Sequence, residues 1–252
     1  MRRAIIDGDI LTYSVGFGSN SKQYTVAGYT FKYKKDAVEW CLTHVVDKEL
    51  IQKEEVEEPL EFVLANVKRV INKIQHAVDA EDYVIYISGS NNYRKDAYPD
   101  YKANRDPSHK PKYFAEIQDY LIMYHDAKVT DNIEADDAMA MDADPDLDVI
   151  CTMDKDLDTV MGWRYNWKKD EMYYVEYDEA DRFFWMQMLM GDPADNVKGI
   201  DGIGPKTAEK ILRQGEEEGF PRRCIVGLAY AMHLDDPESE YVKNAKLLYI
   251  MR

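Results

Sequence analysis

The chain is short of positive charge, of cysteine and of long apolar runs, and each shortage narrows what it can be. Asp and Glu number 48 against 32 Lys and Arg, for a formal net charge of −16, which on its face disfavours a polyanionic partner. There are three cysteines, Cys41, Cys151 and Cys224, scattered and odd in number. A disulfide framework is excluded and a reducing, cytoplasmic setting is expected. No apolar run is long enough to span a membrane and no secretory leader opens the chain, so a soluble, unprocessed protein without a membrane partner is expected. Internal repeats and low-complexity tracts are missing as well. What remains is 252 residues, enough to bury a core as one large domain or two small ones.

The most informative stretch is Gly191 to Leu212, GDPADNVKGIDGIGPKTAEKIL. It holds two carboxylates three apart (Asp192, Asp195), a glycine ladder (Gly199, Gly202, Gly204), and Lys206-Thr207 opening a helical run. Glycines at that density let the backbone turn tightly and approach a ligand. Amides at the start of the following helix form an anion site that Lys206 reinforces, which suits a phosphate. The plainer alternative is a helix–turn–helix in an α-helical core, with the glycines as caps.

The start, RRAIIDGD, reads as a short strand ending in Asp7, where open α/β sheets place their chemistry; a solvated turn is the alternative. Residues 23–34 alternate around Ala27-Gly28 and suggest a hairpin. A helix is expected over 36–50, a solvated bend in the charge run 53–58, and a second helix from Pro59 with Val63, Val67, Val70, Ile71, Ile74 and Val78 on one face. YVIYI at 83–87 reads as an interior parallel strand. Further on, a core helix around Phe114 to Ile122, strands at 127–130 and 147–153, a pair of strands within 163–177, a helix over 178–190 and one or two closing helices over 222–252 complete the reading.

Residues 89–112, GSNNYRKDAYPDYKANRDPSHKPK, carry six bases against three acids. Tyr93, Tyr98 and Tyr101 interleave with the cations, the pattern single-stranded nucleic acid asks for. Pro99, Pro107 and Pro111 prevent one regular helix, and if Asp100 to Arg105 is helical then Tyr101, Lys102 and Arg105 share a face. A basic solvent loop is the alternative. Two acid clusters follow. In NIEADDAMAM, Glu134 and Asp137 project from one face of a helix's first turn with Asp136 beside them. One or two such acids serve the helix dipole, whereas three crowded together favour a hard cation. Asp154 and Asp156, two apart at a strand end, point to the same side.

The ordered set Asp7, YKANR, IEADD, DKD, GDPADN and GIDGIGPKTA resembles the 5′-nuclease family of flap endonucleases and 5′–3′ exonucleases, most like the stand-alone bacteriophage-encoded forms. The resemblance implies an α/β fold: a central, mostly parallel sheet flanked by helices over 1–180, an arch or gateway at about 89–112, and a helical region over 181–252. The last carries a helix–three-turn–helix at about 191–213. It implies that Asp7, Glu134, Asp136, Asp137, Asp154, Asp156, Asp192 and Asp195 hold two divalent ions. Magnesium fits all-oxygen ligands and Mn²⁺ substitutes. It further implies that Lys102 and Arg105 act on the scissile phosphate from a helical gateway. Tyr101, Lys102, Arg105, Gly202, Gly204, Lys206 and Thr207 would contact DNA, with a K⁺ ion at the helix–three-turn–helix. Duplex ends, 5′ flaps and nicks are the implied substrates of a monomer, in the cytoplasm of an infected bacterial host if a phage encodes it. The implied chemistry is two-metal phosphodiester hydrolysis, with unpaired bases received by the tyrosines near residue 100.

The sequence departs from the family pattern in two places. Where an Asp is common after the second strand, this chain reads Ser88-Gly89-Ser90-Asn91, and it stops soon after the helix–three-turn–helix. The charge objection eases once the eight cluster acids are set aside, since 40 acids against 32 bases leave −8. Three other readings compete. A haloacid-dehalogenase-type phosphatase would use Asp7 and Asp9 but not the glycine ladder. A PIN-type ribonuclease would share the acids but not the helix–three-turn–helix. A catalytically inactive DNA-binding protein would have no use for surplus carboxylates.

Overall fold

The computed structural model describes residues 2–106 and 108–252; Pro107, expected to interrupt a helix, lies outside them. In chain order the elements are β1 (Arg3–Asp7), α1 (Gly8–Gly18), β2 (Asn20–Val26), β3 (Tyr29–Phe31), α2 (Lys34–His44), β4 (Gln52–Glu57), α3 (Leu60–Ala77) and β5 (Asp82–Ile87). Then come α4 (Tyr93–Ala97), α5 (Phe114–His125), β6 (Lys128–Val129), α6 (Ala135–Asp142), β7 (Val149–Cys151), β8 (Gly162–Asn166) and β9 (Glu171–Val175). The last part holds α7 (Tyr177–Met190), β10 (Gly191–Asp192), β11 (Val197–Lys198), α8 (Pro205–Glu217), α9 (Arg222–His233) and α10 (Pro237–Leu248).

The main sheet runs β6-β5-β1-β7-β8-β9, with every pair parallel except β8–β9. Its two faces follow from period-two alternation. Ala4, Ile6, Ile85, Ile87, Val149 and Cys151 pack into one apolar cluster with the buried stripe of α3, Val63, Val67, Ile71 and Ile74. Ile5, Tyr86 and Ile150 face the other way, against Ala135, Ala138 and Met139 of α6. Sheet and helices thus form the expected α/β architecture. A third cluster joins α7 to α10, with Met188, Leu212, Val226 and Leu248 at its centre and Tyr101 at its edge.

The hairpin expected around Ala27-Gly28 is β2–β3, whose turn takes φ 50 and 83 at those residues. The charge run 53–58 is not a bend. It forms β4, paired antiparallel with β2 from Thr25–Gln52 to Asn20–Glu57. Backbone pairing, rather than an apolar face, makes this strand, so the side-chain pattern does not announce it. The expected helix over 36–50 ends early, at Val45 in the left-handed region.

The gateway segment is also different from its expectation. Helix α4 covers Tyr93–Ala97 alone, and residues 99–105 are successive turns with Lys102 at φ 58. Tyr98 precedes a proline and is extended, at φ −148 and ψ 101, as the ring of the next residue demands. Asp100 to Arg105 is therefore not a helix with one shared face. No helix of the described residues is long and apolar enough to cross a membrane.

Candidate metal centre and nucleic-acid interface

The carboxyl ends of β1, β5 and β7 lie side by side, and because β5 and β7 flank β1 on opposite sides, a crevice opens at the strand tips. Asp7 ends β1 and caps α1, accepting from the Ile10 amide at 2.9 Å, while its other oxygen accepts from the Thr152 hydroxyl at 2.7 Å. Thr152 also accepts from the Asp154 amide at 3.0 Å, and Asp154 from the Asp156 amide at 3.0 Å. One threonine therefore ties the tips of β1 and β7 together. Asp156 opens a short 3-10 turn whose carbonyls at Leu157 and Val160 receive the buried guanidinium of Arg164. Gln187 of α7 donates to Asp156 at 2.7 Å.

The second half of the site comes from the glycine-rich stretch. Asp192 caps a 3-10 turn by accepting from Ala194 at 2.9 Å. One oxygen from each of Asp156, Asp192 and Asp195 lies within 4.8 Å of the others. A cavity of about 510 Å³ exposes Asp7, Glu134, Asp136, Asp154, Asp156 and Asp195, with Lys102 and Arg105 on its wall. A smaller adjoining hollow adds Asp192. Crowding has an electrostatic signature. Burial, then Asp154, Asp192 and Asp195, push the Asp156 carboxyl up to about 7. Burial and the neighbouring acids Asp7, Asp154 and Glu134 hold Asp136 well above the usual carboxylate range. Asp7 is raised by burial and by Asp9. A cation among them would relieve that repulsion, and the donors are all hard oxygen.

Two cations already lean in. Lys102 donates to Glu134 and sits 3.4 Å from Asp195; Arg105 pairs with Asp195. Burial alone would lower the Lys102 ammonium, yet Glu134 and Asp195 outweigh it and the net shift is upward. Beside them, the α7–α8 connection makes a groove of about 580 Å³ lined by Met190, Lys198, Gly199, Gly202 and Gly204 among others. Gly202 takes φ 79 and Gly204 caps α8, while a Cβ at Gly199 would lie 2.1 Å from the Met190 carbonyl carbon. Gly199 is thus a packing glycine. Lys206 and Thr207 stand exposed in the first turn of α8.

No protein-family model matches the chain. Among curated proteins, the thermostable DNA polymerase I of Thermus aquaticus is 30% identical over 173 residues, 62% of this chain and 21% of the polymerase. Flap endonuclease Xni of Shewanella baltica is 29% identical over 138 residues, 48% of this chain and 52% of the endonuclease. The chain thus spans about a fifth and about half of these relatives. In fold, it matches the D15 flap endonuclease of bacteriophage T5, in a pseudo-enzyme-product complex with DNA and metal ions, with a TM-score of 0.64. That match has 16% identity and covers 98% of this chain and 89% of that one. In sequence and in fold the chain thus resembles the 5′-nucleases.

Within this site, two of the sequence-predicted residues serve elsewhere. Asp137 is fully buried and faces away from the cavity, bridged by both terminal nitrogens of Arg94 at 2.6 and 2.8 Å and accepting from Met251 N at 3.0 Å. With its oxygens so occupied, it is a structural acid rather than a metal ligand. Tyr101 is only 3% exposed and donates to Asp195 at 2.8 Å and Glu134 at 3.0 Å, so it orients two cavity acids and presents no face to a base. Tyr93 stacks on Arg94 and donates to the Lys246 carbonyl, and Tyr98 packs against the helical cluster. Tyr101 thus offers no stacking platform for unpaired bases, while Tyr93 and Tyr98 are half-buried in contacts within the chain. Sequence reasoning underweighted Asp9, Arg94, Arg164 and Gln187. For Asp9 the signal was the Asp-x-Asp spacing; for the others it lies in contacts far along the chain.

Proposed function

We propose that the chain is a divalent-metal-dependent 5′-nuclease, a 5′–3′ exonuclease and flap endonuclease that hydrolyses DNA phosphodiester bonds as a monomer. The observation that carries this reading is convergence. Seven carboxylates, Asp7, Glu134, Asp136, Asp154, Asp156, Asp192 and Asp195, come from sequence-remote segments to two adjoining hollows, with Lys102 and Arg105 on the wall. The acids divide into two groups. Asp156, Asp192 and Asp195 would hold one Mg²⁺, and Asp7, Asp136 and Asp154 the other, the Asp154 charge raising both the Asp7 and the Asp136 carboxyl, with Glu134 between them. When bound, two such ions supply activation of water and stabilisation of charge on the phosphate and leaving oxygen.

The chain's own groups do the rest. Thr152 and Gln187 orient Asp7 and Asp156, and Tyr101 aligns Glu134 with Asp195. Lys102 and Arg105 add positive charge where the scissile phosphate must lie. Gly202, Gly204, Lys206 and Thr207, with the first amides of α8, grip the duplex backbone through its phosphates, and the glycine turn is where a K⁺ ion would sit. The likeness to relatives named flap endonuclease and to a fold neighbour solved with DNA and metal ions supports this reading.

The test is cleavage of 5′-labelled duplex, nicked and flap DNA with Mg²⁺, with Mn²⁺ and with EDTA. Release of 5′ products that EDTA abolishes is the expected result. Hydrolysis of a small phosphomonoester without action on DNA would overturn it in favour of a phosphatase, and cleavage of RNA alone in favour of a ribonuclease.

A further inference from the structure

The tip of β5 reaches the crevice without an acid of its own: Ser88, Gly89 and Ser90 line the cavity there. Gly89 has no room for one, because a Cβ would lie 2.0 Å from the Thr130 carbonyl oxygen. The same tip is nevertheless occupied by a carboxylate from another element. Asp9, in the first turn of α1, accepts from the Ser88 amide at 3.0 Å. The Ser88 hydroxyl in turn accepts from the Ala135 amide at 3.0 Å. Ser88 thus joins the tip of β5, the start of α6 and Asp9. Gly8 enables the approach: a Cβ there would lie 2.6 Å from the Tyr86 carbonyl oxygen, so α1 sits hard against β5.

Asp9 lines the same cavity as Asp7, Glu134, Asp136 and Asp154, and Asp7 and Lys102 both sense its charge. A carboxylate has about four acceptor positions. The single Ser88 amide bonded to it leaves positions open, and Asp9 lines the cavity.

We infer that Asp9 supplies, from α1, the carboxylate that the β5 tip lacks, and that it serves as a ligand or immediate charge partner of the divalent ion held by Asp7, Asp136 and Asp154. This rests on the metal-centre reading given above. Its competitor is a purely structural role, in which Asp9 only fastens α1 to β5. The two separate cleanly, because Asn at position 9 still accepts from the Ser88 amide but carries no charge.

The experiment is Mn²⁺ titration followed by electron paramagnetic resonance, without DNA, on wild type, Asp9→Asn, Asp9→Ser, Asp154→Asn, Ser90→Asp and the double variant Asp9→Asn/Ser90→Asp. Thermal melts in EDTA check that each folds. One Mn²⁺ should bind Asp9→Asn about tenfold or more weakly than wild type, in the range that perturbing a metal's supporting groups produces. Ser90→Asp should recover much of that loss in the Asp9→Asn background while adding little to wild type, so the two positions are non-additive. Asp9→Ser keeps an acceptor for Ser88 and should behave like Asp9→Asn if the latter folds poorly. Titrations of the Asp9 variants that overlay wild type, with Asp154→Asn weakened, overturn the inference and leave the metal centre standing. Absence of Mn²⁺ binding to the wild-type protein overturns both.

Discussion

Lys102 donates to Glu134 across the mouth of the cavity, with Asp195 3.4 Å from the same ammonium. The cation proposed to act on the phosphate is therefore lodged among the acids proposed to hold the ions, at a residue whose backbone sits at φ 58. Two like-placed positive charges compete, so filling the centre with divalent ions should push Lys102 outward, toward an incoming phosphate. Lys102→Ala should lower the single-turnover cleavage rate by about two orders of magnitude or more with little change in DNA affinity, the mark of an interaction made in the transition state. The same variant should melt lower than wild type in EDTA and gain more from Mg²⁺, because it has lost the cation that offsets Glu134 and Asp195. A change confined to Kd would make Lys102 a tether.

Asp136 and Asp137 are neighbours with opposite fates, and their amide variants should differ accordingly. Asp137→Asn leaves the buried Arg94 guanidinium without its bidentate partner and should cost about 3–5 kcal/mol of folding stability. Asp136→Asn removes a carboxyl already held in the protonated direction by burial and by Asp7 and Asp154. It should keep or raise the melting temperature in EDTA while abolishing Mg²⁺-dependent cleavage. Urea denaturation and a cleavage assay on both proteins check the contrast. Equal stability losses would place the two acids in the same environment.

That contrast also marks how far the sequence could be read. Periodic features were legible: the α3 stripe from Val63 to Ile74 and the alternation of Ala4, Ile5 and Ile6 depend only on neighbours in the chain. The acid motifs were legible as a group because their spacing at strand and helix ends is local too. Whether Asp136 or Asp137 faces the cavity was not, because adjacent helical residues point about 100° apart and the choice is fixed by Arg94, 43 residues away, and by the Met251 amide. Tyr101 misled for the same reason. Its hydroxyl finds Asp195, 94 residues on, and a tyrosine beside lysines reads as exposed until that partner is known. Strand β4 escaped notice because its ladder with β2 requires no apolar alternation.

At the opposite ends of the strands, Asp148 fastens the base of β7 to that of β1, accepting from the Arg3 guanidinium at 2.5 Å and from the Arg3 amide at 3.2 Å. Burial would raise the Asp148 carboxyl, but the Arg3 and Asp144 hydrogen bonds and the Arg3 charge win, and it is held below the usual carboxylate value. The folded state therefore releases this proton more readily than the unfolded chain. The stability it contributes is present above the ordinary carboxylate pKa and is lost as pH falls through the lower folded value. Asp148→Asn should cost about 2 kcal/mol at pH 7, and the gap from wild type should close as the pH falls below about 4. Urea midpoints for both proteins at several pH values decide it, and a gap that widens on acidification would contradict the assignment.

The remaining prediction separates gripping from cutting. Lys206 and Thr207 are exposed in the first turn of α8, beyond the Gly202 turn at φ 79, while Lys102 stands at the acids. A phosphate held by α8 would rest on amide dipoles and the Lys206 charge, and a phosphate contact carries no sequence information. Lys206→Ala should therefore weaken duplex binding alike for unrelated sequences, and the slope of log Kd against log salt should shrink by about one phosphate contact. Its single-turnover rate at saturating DNA should stay within a few-fold of wild type, opposite to Lys102→Ala. If a K⁺ ion sits in the glycine turn, Li⁺ in its place at constant ionic strength should lower wild-type affinity further. An unchanged salt slope in Lys206→Ala would remove α8 from the duplex interface, and identical binding in K⁺ and Li⁺ would remove the ion while leaving the lysine.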